Sequence, residues 1–265
     1  MAVPTALEGG WWDEETRALV ARAVFTEIAI KAGGIWNPRD LERKVRVKTR
    51  DSRGQKDLSN YSNMWKGKHE PSKAILKAAI LAYPKAEVEL WAKHPLFFLL
   101  NRPKRDAREK QEAAIEYALD SISGPIRGLI WRSKISWDPW TGDQLLNLHE
   151  SAINAILSSR EFDEFTALSK FVTCIALAKY ASSKGDMNSF VNACRISHNY
   201  FLEAILTTSH LYVQWSQLQV LVAKQFWLEC DQVLPQELRL TPYQVEQVTR
   251  LADRLGLSDI PFAQS

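Results

Sequence analysis

The run from Trp12 to Ala32 limits the fold more than any other feature of the chain. Val20, Val24 and Ile28 recur at helical spacing, Asp13 to Glu15 put negative charge in the first turn, and Gly33-Gly34 follows as a stop. Together these signals define a helix with both ends marked. Similar punctuation returns along the chain. Asn37-Pro38 is a cap residue followed by proline at the first helical position, with Leu41 and Val45 one turn apart behind it. Helices are expected next from about Leu58 to Lys66 and from Ser72 to Ala82, then an aromatic stretch from Leu90 to Leu100. The fold class predicted is therefore all-α.

Two stretches punctuate the first hundred residues differently. Residues 45–50, Val-Arg-Val-Lys-Thr-Arg, read equally as a short strand with Arg46, Lys48 and Arg50 on one face or as an exposed basic helix end. Asp51 to Lys56 has no apolar side chain to bury and reads as a loop. Asn101 to Lys110, polar and basic around Pro103, is the expected domain boundary, separating a basic N-terminal head (residues 1–105) from a helical C-terminal body (residues 106–265). With 46% of its 265 residues hydrophobic, the chain can bury one large core or two modest ones.

In the body, a helix is expected over roughly Ala107 to Ile122, before Gly124-Pro125. Trp131, Trp137 and Trp140 follow, and Thr141-Gly-Asp-Gln144 has the spacing of a capping box that opens another helix. Two or three longer helices should run through Tyr180 and then from Asp186 to Leu234. Within the last of these, Leu211, Trp215, Leu218, Val222 and Phe226 form an apolar stripe suited to packing on another helix, and this stripe is the expected dimer or partner interface. A final capping box at Thr241 to Gln244 begins a helix closed by Gly256.

Several function classes are disfavoured. Cys174, Cys194 and Cys230 form no CxxC pair, and the five histidines lack metal-ligand spacing, so no disulfide framework, metal site or cofactor is implied. No P-loop, GxGxxG or GxSxG occurs, and the chain reads as a non-enzyme. Cys194 and His198 lie one helical turn apart, a spacing that a nucleophile and base would share with an ordinary buried thiol. The first ten residues lack a basic head and an apolar run, and the most apolar segment, Leu211 to Leu228, carries Gln214, Gln217 and Lys224. A cytoplasmic protein with no membrane span is expected.

Charge points to a partner. Residues 1–110 carry 22 Lys and Arg against 14 Asp and Glu, leaving 12 against 17 for the remainder, and between Lys31 and Lys85 the balance is 14 against five. Such a concentration attracts polyanions. Within it lies Tyr61-Ser62-Asn63-Met64-Trp65-Lys66-Gly67-Lys68, followed by Pro71-Ser72 and a helix. This segment resembles the recognition-helix end of the Cro/repressor-type helix-turn-helix family, over about residues 57–82. The resemblance implies Tyr61 and Met64 as the buried pair and Gly67 as the positive-φ stop. It implies Asp57 at the N-cap, with Ser59, Asn60 and Asn63 exposed toward base edges and Arg53, Lys56, Lys66, Lys68 and Lys73 on phosphates. Arg46, Lys48 and Arg50 would extend the basic surface. The segment departs from the family at Asp51 and Gln55, where a packed Ala and a turn Gly belong, which implies a divergent motif with an enlarged or rebuilt turn; Trp65 replaces an acidic residue.

The expected function is accordingly double-stranded DNA binding by a transcriptional regulator acting as a dimer. The alternative is a helical adaptor, or a subunit of a larger complex, whose basic head meets RNA or an acidic protein.

Overall fold

The computed structural model describes residues 12–49, 60–102, 108–121, 135–137 and 144–227. The chain is all-α, with one short hairpin among these residues. It divides into two compact units: residues 12–102 with 208–221, and residues 108–207 with 222–227.

In the first unit α1 (Glu14–Lys31) is the central helix. Asp13 caps it, accepting a hydrogen bond from Thr16 N at 2.7 Å, and the Asp13 carboxylate also accepts from Arg102 N at 2.7 Å. Every residue from Leu19 to Ala29 is buried, Arg22 and Glu27 included. Such a helix is enclosed on all sides and not merely amphipathic. Around it are α2 (Pro38–Thr49), α3 (Asn60–Trp65), α4 (Lys73–Ala82), α5 (Val88–Ala92) and α6 (Pro95–Leu100). Asn37 caps α2 through Oδ1, which accepts from Arg39 N and Asp40 N. Residues 45–49, open between strand and helix in the sequence, are the end of α2. A strand would turn Val45 and Val47 to one face, but Val45 is fully buried whereas Val47 is 73% exposed. The aromatic stretch forms two helices because Pro95 starts α6 and His94 Nδ1 accepts from Leu96 N, breaking the chain after Ala92.

Two elements, α12 (Ser209–Tyr212) and α13 (Trp215–Val222, up to Leu221), return to this first unit from far along the chain. The sequence places them instead in the C-terminal body. It expects two or three longer helices through Tyr180 and then from Asp186 to Leu234, with no break assigned within the second stretch, and the residues past 227 lie outside the described ones. The described part is broken after Thr207: Thr208 is extended, and Thr207 Oγ1 donates back to Glu203 O at 2.7 Å. β-branched threonines with hydroxyls that compete for the backbone favour such a break.

The second unit contains α7 (Arg108–Ser121), the strands β1 (Ile135–Trp137) and β2 (Gln144–Leu146), α8 (Glu150–Leu157), α9 (Arg160–Asp163), α10 (Ala167–Lys184) and α11 (Met187–Thr207), then a π-helical turn (Ala223–Trp227). α10 and α11 form a helical hairpin. It turns at Gly185, whose φ is +72° and whose N–H reaches Ser182 O while Asp186 N reaches Ala181 O. The capping box expected to open a helix at Gln144 is overturned. Gln144 pairs with Trp137 and Leu146 with Ile135 in an antiparallel ladder. Residues held in a ladder cannot start a helix. The capping box at Thr241 lies outside the described residues.

Candidate nucleic-acid interface

α3 is held from behind by its own apolar pair. Tyr61 and Met64, three residues apart, are both fully buried, and α3 packs on α1 and α2. Burial raises the Tyr61 hydroxyl pKa well above the usual phenol range, with the nearby Glu42 and Tyr83 pushing the same way. Trp65, half-buried, packs its ring on Phe25 of α1 with centroids 4.8 Å apart. An acidic side chain at this position would face that apolar ring.

The end of α3 is a Schellman turn. Gly67 has φ +68°, its N–H reaches Met64 O at 2.9 Å, and Lys68 N reaches Asn63 O at 2.8 Å. Gly67 also sits where the chain crosses α1: a Cβ there would lie 2.6 Å from the Ala18 Cβ. From α1, Arg22 satisfies the last carbonyls of this turn. Its Nε donates to Trp65 O at 3.3 Å, its Nη2 to Lys66 O at 3.4 Å, and its Nη1 to Gln217 Oε1 of α13. Burial lowers the Arg22 pKa from its ordinary value, and the carbonyl and amide oxygens around the guanidinium offset part of that cost. Pro71 then precedes Ser72, whose Oγ caps α4 by accepting from Ile75 N.

The sequence-predicted contact residues are only partly gathered. Lys66, Lys68 and Lys73 are exposed around the turn, and Asn63 is half-buried on α3. Asn60 opens α3; its side chain, like Arg50, Arg53, Lys56, Asp57 and Ser59, lies outside the described residues. Arg46 and Lys48 do not share a face, because two residues on a helix stand about 200° apart. Arg46 pairs with Glu42 one turn back, and Lys48 Nζ lies over the Tyr83 ring, 4.2 Å from its centroid. Four of the five stripe residues are not offered to a second copy. Leu211, Leu218, Val222 and Phe226 are buried in the chain itself and Trp215 is half-buried. A side chain packed in its own chain has no face left for a dimer.

Sequence reading missed Arg22, though a lone arginine inside Val20-Ala-Arg-Ala-Val24 was a signal of a buried, partnered charge. It also missed an aromatic and ionic cluster in which Trp91 and Glu27 are buried and His94 and His210 half-buried. Trp91 stacks with His210 at 3.9 Å and with His94 at 4.9 Å, and His210 Nε2 lies 2.9 Å from Glu27 Oε2. Glu27 Oε1 accepts from Glu87 N at 2.7 Å. Burial works to raise the Glu27 pKa, but the bonds from His210 and Glu87 N–H, with the charges of His210 and Lys31, outweigh it and leave the carboxyl below its ordinary value. Burial drives His94 down to about 4, helped by His210. In the second unit, Cys194 Sγ donates toward Phe226 O at 3.6 Å. Among the described residues no three His, Cys, Asp or Glu side chains are placed to hold a metal, and no helix is long and apolar enough to cross a membrane. Compared with protein-family models, curated proteins and solved structures, the chain has no match.

Proposed function

We propose that the protein binds double-stranded DNA and regulates transcription, with α3 as the helix that meets base edges. The observation that carries this reading is the construction of α3: a very short helix anchored by Tyr61 and Met64, ended by the Gly67 turn, and backed by Arg22. A helix of six residues cannot persist in water on its own propensity, so this one is held in place entirely by packing. The anchoring leaves Ser62 and Asn63 only partly covered, with Lys66, Lys68 and Lys73 exposed nearby. Asparagine can pair with adenine edges, and lysines with phosphates.

One observation favours a second reading, a helical adaptor whose basic head meets RNA or an acidic protein. Arg46 and Lys48 already have partners within the chain, which leaves fewer cations for a DNA backbone. Selection from a pool of random double-stranded DNA at near-physiological salt separates the two. The DNA reading expects an enriched motif; binding without enrichment, or no binding, overturns it in favour of the adaptor.

A further inference from the structure

A cleft of about 790 Å³ opens in the first unit between α1, the turn after α3, and α13. That volume falls within the range of small-molecule sites. Along α1 its wall is Glu14, Glu15, Ala18, Leu19 and Arg22, and along α13 it is Ser216, Gln217, Val220 and Leu221. Each set is one helical face, with steps of one, three and four residues. The two faces are bridged by the Arg22–Gln217 bond. The third wall is Lys66 to Lys68.

Charge is unevenly spread over these walls. Arg22 holds the carbonyls of Trp65 and of Lys66 itself, so the three cations Arg22, Lys66 and Lys68 belong to one end. Neither lysine makes an ion pair among the described residues. Glu14 and Glu15 lie eight and seven residues before Arg22, which places them roughly 10–12 Å away along the helix axis. Between the ends the surface is apolar, with Ala18 half-buried and Val220 51% exposed.

We propose that this cleft binds a small organic anion with an apolar body, of which a medium-chain carboxylate is the simplest member. The Gln217 amide oxygen holds Arg22 Nη1 in the way a carboxylate oxygen would. A carboxylate entering the cleft takes that position with a stronger, charge-assisted bond and gains the two lysines. Its chain lies over Ala18 and Val220, removing apolar surface from water. The acidic far end rejects a second anionic group.

The test uses the full chain without nucleic acid, so it stands or falls apart from the DNA reading. Octanoate is titrated by calorimetry, with octan-1-ol and octanedioate as comparisons. Saturable one-to-one binding is expected with Kd below about 1 mM, and at least about tenfold weaker binding for both comparison compounds. The double variant Lys66→Glu, Lys68→Glu, altered at two exposed positions so that folding is retained, should weaken octanoate at least about tenfold. The proposal is overturned if octanoate shows no saturable binding, if octan-1-ol binds as tightly, or if the double variant binds octanoate as the natural chain does.

Discussion

Gly67 is under two constraints where Gly185 is under one. The Gly67 φ of +68° disfavours any side chain, and the Ala18 backbone and Cβ occupy the space a Cβ would need. Gly185 has a similar φ of +72°, but a Cβ added there would meet nothing within 4 Å. Gly185→Ala should therefore cost about 1 kcal/mol, for the left-handed backbone alone. Gly67→Ala adds a steric cost of about 1–3 kcal/mol, since the α1 crossing must shift. Urea denaturation of the two variants checks this, and equal losses would contradict it. Tyr61, Met64, Ser72 and the turn role of Gly67 were legible in the sequence because they depend on neighbours within a few residues; the approach of Gly67 to Ala18 was not. Arg22 was not, because its partner Gln217 stands 195 positions away.

At the scale of elements, α5 and α6 meet at His94, and its burial makes the junction acid-sensitive. The folded state holds His94 neutral with a pKa near 4, while the unfolded chain protonates it near 6.5. Below pH 6.5 the unfolded state binds a proton that the folded state does not, so stability falls as pH drops toward 4, by roughly 3 kcal/mol in all. Glu27 adds to the loss in the same direction, since its lowered pKa stabilises the fold above the ordinary carboxylate value and that contribution vanishes as the carboxyl protonates. His94→Asn, which keeps a side-chain acceptor for Leu96 N, should flatten the pH 6.5 to 4.5 part of the profile. Denaturation midpoints measured across that range decide it; an unchanged slope would contradict the assignment. The elements themselves were readable wherever caps and periodicity agreed, as for α1, α2 and α4. They were misread where a local pattern had two uses: Thr141 to Gln144 fits a capping box, yet Gln144 belongs to a ladder with Trp137.

For the whole molecule, the lesson lies in residues 208–221. An apolar stripe in a sequence states that a helix packs, and not on what. The stripe read as a dimer surface is covered within the chain except at the half-buried Trp215, and its first part joins the N-terminal unit through Arg22–Gln217 and Glu27–His210. Those links span more than 180 residues and leave no periodic trace. The basic head is thus a composite of two distant segments, in which α3 is backed by α1 and α1 in turn by α12. The central claim is that this backing presents α3 to DNA bases. Its most direct measurement is the selected-sequence profile of the natural chain beside those of Asn60→Ala, Asn63→Ala and Lys68→Ala. The account predicts that either asparagine variant loses preference at particular base positions, at about 1–3 kcal/mol each, whereas Lys68→Ala weakens binding to all sequences alike. Equal, small and position-independent effects from all three would contradict it.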